Sequence, residues 1–239
     1  MTPAAGTGAA PITAATVAAN LAAIRTRIAT AGADPDGVTV VAVTKGFPAA
    51  AVEAARAVGL DDVGENYAQE LLAKADAVGS DVRWHFLGPV QRNKIAGLAA
   101  HVSCWHTIDR ASVGRALAAR RPGARVFVQV NSTGEATKHG CRPEETGDLV
   151  DELRGQDLDV AGLMTIGPEG EPEAARPAFR LLADLGRRLG LRELSMGMTG
   201  DVEVAVQEGA TVVRIGRGLF GPRHRKAPLA AIGSLNGGN

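Results

Sequence analysis

Aromatic side chains make up only 3% of the 239 residues, with a single tyrosine, so the interior must be filled by many small aliphatic contacts. Cysteine is equally scarce. Cys104 and Cys141 stand far apart and match no metal-ligand spacing, which leaves a disulfide framework or a metal site without support and points to a reducing cytosol. Neither sign of charge is in excess, with 26 Lys and Arg against 26 Asp and Glu, so no global basic field exists to attract a nucleic-acid backbone. Residues 1–10 carry neither a basic run nor a long apolar stretch and read as a disordered lead-in, not as a signal peptide or a membrane anchor. Residues 229–239, rich in Gly, Ser and Asn, read as a flexible tail.

What remains, 11–228, is long enough for one large domain, and a (β/α)8 barrel needs roughly 250 residues. Ile12, Val17, Leu21, Ile24 and Ile28 recur at near-helical spacing, which predicts a leading helix to about Ala31 that stops near Gly32. Apolar, β-branched runs then follow at Val38–Val43, Asp62–Val63, Val82–Leu87, Val102–Ile108, Arg125–Val130, Leu158–Met164, Glu193–Met196 and Thr211–Ile215. Each precedes an Ala/Leu-rich segment of helical period. Eight such units predict a single α/β (β/α)8 TIM barrel, with an open doubly wound sheet as the alternative. The longest irregular stretch, Asn131 to Arg142, is either a cover over a site or a mobile loop.

In a barrel the site lies at the C-terminal ends of the strands. Those ends are polar here: Thr44-Lys45-Gly46, Gly64-Glu65-Asn66, His85 to Gly88, Asn131, Thr165, Ser195 to Thr199, and Arg214 to Gly218. Lys45 ends the run VTVVAV, where burial would favour a neutral amine able to condense with an aldehyde as a Schiff base. Alone, such a lysine more often caps the sheet in solvent, and further features are needed to decide. Gly216 and Gly218, with Arg217 between them, let backbone amides approach an anion at the start of a short turn, where barrels commonly hold a phosphate. Ser195, followed by Met196, could add a hydroxyl there or serve a turn. Arg214, if it faces a pyridine nitrogen, would discourage its protonation and make the ring a poor electron sink; the alternative is a buried ion pair. Asn66 either contacts a ring oxygen or caps the next helix. His85, between apolar neighbours, is a satisfied core histidine by default. Gln91-Arg92-Asn93-Lys94 places two cations at a helix start, against the dipole, and suits a surface face.

In order along the chain, VAVTK (41–45), GENYAQE (64–70), WHFLGPVQRNK (84–94), GLMTIGP (162–168), LSMGMTGDVEVAV (194–206) and VRIGRGLFG (213–221) resemble the YggS/PROSC-type pyridoxal 5′-phosphate (PLP) homeostasis protein family. The resemblance implies an alanine racemase N-terminal-domain-like barrel, PLP on Lys45, phosphate contacts from Ser195, Gly216 and Arg217, and a ring-nitrogen contact from Arg214. The expected cofactor set is Lys45, Asn66, His85, Ser195, Met196, Arg214, Gly216 and Arg217, with no metal. Gly46 stands where the family commonly has a bulkier residue, which implies a different local backbone. The implied function is PLP storage, carriage or supply, with apo PLP-dependent enzymes and free amino acids as partners, in a cytoplasmic monomer without committed turnover. The alternative is a small PLP enzyme such as an amino-acid racemase. Racemases of similar fold take a second base from a tyrosine of an additional domain, whereas Tyr67 is the only tyrosine of this sequence. A cofactor-free Schiff-base aldolase would keep Lys45 and the phosphate loop but would not need Arg214 at a ring.

Overall fold

The structure, a computed structural model, describes residues 12–222, so the expectations for 1–10 and 229–239 lie outside it. Helix α1 (Ala14–Thr30) opens with Thr13, whose Oγ1 accepts the Thr16 N–H at 3.2 Å, and it buries the stripe Val17, Leu21, Ile24 and Ile28. That stripe packs against α2 (Ala49–Arg56), α8 (Val202–Gln207) and α9 (Arg217–Phe220). Asn20 adds a tie by donating to the Leu219 carbonyl at 2.8 Å.

Eight strands follow: β1 (Thr39–Val43), β2 (Asp62–Glu65), β3 (Arg83–Phe86), β4 (Val102–Ile108), β5 (Arg125–Gln129), β6 (Asp159–Met164), β7 (Glu193–Ser195) and β8 (Val212–Ile215). Every neighbouring pair is parallel, and β1 pairs with β8 to close the barrel. Helices α3 (Ala68–Val78), α4 (Arg92–Leu98), α5 (Ala111–Ala118), α6 (Thr146–Gly155) and α7 (Arg176–Arg188) complete the outer layer with α2 and α8. All eight expected strands are present: β4 matches its run end to end, β2 runs two residues beyond it, and the other six are shorter by one or two residues. Both tryptophans and all five phenylalanines are buried, while Tyr67 is 61% exposed just ahead of α3. Among the described residues no helix is long and apolar enough to cross a membrane.

The barrel interior is mixed in character. Val41, Cys104, Phe127, Met164 and Val212, from five strands, form one apolar cluster. Two positions along the same strands, β4 and β8, lie His106 and Arg214, because alternate residues of a strand share a face. His106 bonds Ser195, and β4 and β7 are not sheet neighbours, so this contact crosses the interior. A very close backbone approach lies at the C-terminal ends of β2 and β3: a Cβ on Gly88 would sit 1.9 Å from the Asn66 carbonyl oxygen. Only glycine lets the chain after β3 pass there, and the passage holds Asn66 at the top of the barrel.

Candidate functional site

Lys45 follows β1 in a turn and is half-buried. Hydrogen bonds hold the residues on both sides of it. Thr44 donates its N–H to the Gly64 carbonyl at 2.9 Å and its hydroxyl to Glu65 Oε1 at 2.7 Å. Its own carbonyl accepts from the Phe47 N–H and from Lys74 Nζ, the latter at 2.7 Å. On the other side Gly46 has φ +74°, a value that favours glycine, and donates its N–H to Glu70 Oε2 at 2.8 Å. Lys74, buried, also donates to Glu65 Oε1 at 2.5 Å. Glu65 is fully buried and its Oε2 has no hydrogen-bond partner, so burial raises its carboxyl above the ordinary range despite the Lys74 and Thr44 bonds.

Lys45 borders a cavity of about 580 Å³ at the C-terminal mouth of the barrel. Asn66, Arg214, Gly216 and Arg217 share its wall, so five of the eight expected residues converge. Asn66 does not cap α3, whose N-cap is Tyr67 without a side-chain bond. Arg214 is buried; Nη1 donates to Ser195 Oγ and Nη2 to the Thr165 carbonyl, each at 2.8 Å. Its Nε–H has no partner among the described residues, and no carboxylate lies within ion-pair distance of it there, which disposes of the buried ion pair. Burial without such a partner pushes its pKa down to about 10, still a cation at neutral pH. Gly216 leaves a cradle: an added Cβ would stand 3.2 Å from the Val43 carbonyl oxygen. Arg217 is exposed on the rim. Because α9 has only four residues, its dipole is small, and open backbone plus the Arg217 charge must carry any anion.

The other three residues lie elsewhere, for a reason of alternation. Ser195 and Met196 are fully buried and do not reach the cavity wall. The Ser195 hydroxyl is engaged inside the barrel by Arg214 and by His106 at 2.9 Å. Met196 belongs to the main apolar core. His85 lies in the interior, its Nδ1 2.8 Å from His106 Nε2 and its Nε2 2.9 Å from Asp62 Oδ1, a satisfied core histidine and not a wall residue. His85, Cys104 and His106 bring donor atoms within 4.8 Å of one another, but the imidazole nitrogens are engaged in these hydrogen bonds and burial pushes the Cys104 thiol up to about 12.

Among the wall residues outside the expected set are Met198, Thr199 and Lys138. Thr199 Oγ1 accepts the Gly218 N–H at 3.0 Å and so joins the loops after β7 and β8. Its sequence signal is the GMTGD segment that follows β7. Lys138 sits in the irregular 131–142 stretch, which is tied down as a cover: Val130 bridges Cys141, and Lys138 Nζ donates to the Gly167 carbonyl at 3.1 Å.

Asp62 offers a test by pH. Burial pulls its carboxyl up, yet the hydrogen bonds from His85 and Arg83, with the Arg83 charge, outweigh this and hold it far below the usual range. A depressed folded value means stability that is present above the unfolded pKa of about 3.9 and lost as pH falls below it. Asp62→Asn is therefore expected to cost about 2 kcal/mol at pH 7 by urea denaturation, and this deficit should shrink below pH 4. A deficit that is constant with pH would contradict the assignment.

The sequence matches the alanine racemase N-terminal domain family over residues 12–224. It is similar to the pyridoxal phosphate homeostasis proteins of Pseudomonas aeruginosa, with 44% identity over 90% of this chain and 99% of that one, and of Escherichia coli, with 37% identity over 87% and 97%. Among solved structures, PipY of Synechococcus elongatus with PLP bound superimposes with a TM-score of 0.73 at 31% identity, covering 86% of this chain and all of that one.

Proposed function

From a chain that belongs to the pyridoxal phosphate homeostasis protein family, we propose a protein that holds PLP as a Schiff base on Lys45 and serves its supply within the cell, without a committed turnover of its own. The observation that carries this reading is the convergence, on one cavity of about 580 Å³, of the Lys45 amine, the unpartnered Arg214 Nε–H and the open backbone at Gly216 and Arg217. PLP supplies an aldehyde for an amine, a ring nitrogen for a donor and a phosphate for backbone amides, and PLP is bound in the Synechococcus relative. Lys45 Nζ joins the aldehyde carbon with loss of water. Gly216, Arg217 and Thr199 take the phosphate, and Asn66 orients the ring from the β2 end.

Arg214 argues for holding over turnover. A guanidinium that stays charged donates to the ring nitrogen and keeps it unprotonated, which weakens the ring as an electron sink. Racemisation further needs a base on each face of the ring. Tyr67, exposed ahead of α3, is not among the wall residues.

Purified protein equilibrated with PLP and freed of excess is expected to carry a visible band and to load an apo-enzyme while free PLP is scavenged. Absence of the band would remove the cofactor reading. A band with racemisation of a single amino-acid enantiomer well above free PLP would replace the carrier with an enzyme.

A further inference from the structure

Five side chains form one hydrogen-bonded row through the barrel, from the first residue of β2 to the cavity wall. Asp62 Oδ1 meets His85 Nε2 at 2.9 Å, His85 Nδ1 meets His106 Nε2 at 2.8 Å, His106 Nδ1 meets Ser195 Oγ at 2.9 Å, and Ser195 Oγ meets Arg214 Nη1 at 2.8 Å. His106 and Ser195 are wholly buried, so each must find its partners inside this row. Phe127 stacks on His106 with ring centroids 4.6 Å apart and holds its plane.

The ends of the row fix the direction of every proton. Asp62 is ionised and only accepts, so His85 carries its hydrogen on Nε2. Arg214 only donates, so Ser195 Oγ accepts from Nη1. Two arrangements remain between these ends. With His85 neutral, His106 Nε2–H donates to His85 Nδ1, the Ser195 hydroxyl donates to His106 Nδ1, and every group is satisfied. With His85 doubly protonated, His106 donates to Ser195 instead. The Ser195 hydrogen is then left without an acceptor in a fully buried site, at a cost of about 1–3 kcal/mol. The first arrangement wins on hydrogen-bond satisfaction, and burial, which drives His106 well below its ordinary range, keeps that ring neutral within it.

We propose that Asp62, His85, His106 and Ser195 act as a relay of positioning residues that anchors Arg214 Nη1 and so aims its Nε–H at the cavity. The consequence for PLP rests on the reading above, that Arg214 meets the ring nitrogen. Asp62, on the opposite end of the barrel, then sets the orientation of a donor it does not touch. Ordered hydrogen-bond rows in a low-dielectric interior strengthen one another, which suits a device that must hold a single guanidinium rotamer.

Two measurements test this. In cofactor-free protein with 15N-labelled histidine, long-range 1H–15N correlation is expected to show both rings as neutral Nε2–H tautomers at neutral pH. Asp62→Asn, whose amide oxygen can accept from His85 Nε2–H as the carboxylate does, is expected to leave both rings as Nε2–H, since reversing the row would strand the Ser195 hydrogen. If His85 changes while His106 does not, the relay is overturned. In the PLP-loaded protein, Asp62→Asn is expected to move the visible absorption maximum, and Ser195→Ala, which cuts the row, to abolish that effect of Asp62→Asn in the double variant. An equal shift with and without Ser195 overturns the proposal. Should wild-type protein show no visible band, the cofactor reading fails, and the tautomer measurement still decides the relay. Should Asp62→Asn fail to fold, wild-type protein in any tautomer pattern other than Nε2–H in both rings overturns it.

Discussion

Lys45→Ala is expected to abolish the adduct that borohydride traps when the protein is loaded with PLP, together with its visible band, while leaving the barrel folded. The side chain is half-buried in a turn that is held by its neighbours, through the Thr44 carbonyl, the Thr44 hydroxyl and the Gly46 N–H. Removing it takes away none of those bonds. Its loss should cost on the order of 1 kcal/mol, which moves the melting temperature of a chain this size by about 2–4 °C. Mass spectrometry after reduction reads the adduct, and a thermal melt reads the fold. An adduct that survives in Lys45→Ala would transfer the role to another amine, with Lys138 on the same wall the first to be examined.

Lys74→Ala, the loss of a buried cation, is expected to destabilise the protein by about 3–5 kcal/mol. It strips the cation from Glu65, which is fully buried and already has one oxygen without a partner. The same nitrogen holds the Thr44 carbonyl next to Lys45, so PLP affinity should fall with stability. The pH dependence has a definite sign. Without Lys74 the Glu65 carboxyl rises further, so the deficit should be least below the unfolded glutamate value of about 4.3 and grow toward neutrality. The trend runs the same way as that of Asp62→Asn, since both deficits shrink at low pH as a carboxylate is protonated. Urea denaturation across pH measures it. The double variant Glu65→Gln with Lys74→Met removes both charges and should recover much of the loss. A Lys74→Ala protein as stable as the wild type would show that the pair contributes nothing.

Much of this was legible in the sequence because it is written in local pattern. A β-branched run followed by a helical period marks a βα unit wherever it falls, and Val102–Ile108 was read to its last residue. Strand-end position put Lys45, Arg214, Gly216 and Arg217 at the mouth, which collects whatever follows the strands, while the roles expected of them needed the combination of residues and the resemblance. Ser195 and His85 were harder. Both lie at or near a strand end and both are polar, but alternation then sends their side chains to the barrel interior, a direction that sequence spacing does not reveal. The Lys74–Glu65 pair was missed altogether, because a lysine in the middle of a helix reads as a solvated face until the helix is docked on β2.

The sequence by itself determined the eight βα units, the family they belong to, and the amine, the guanidinium and the glycines that stand at the cavity. Tertiary structure alone decided which polar groups meet: that Ser195 serves Arg214 and His106, that Asp62 reaches the cavity through two imidazoles, and that Lys74 neutralises Glu65. The reason is closure. Alternation along a strand says that two residues share a face, but only a closed barrel, with its strands in register, chooses the residue that faces them from across the interior.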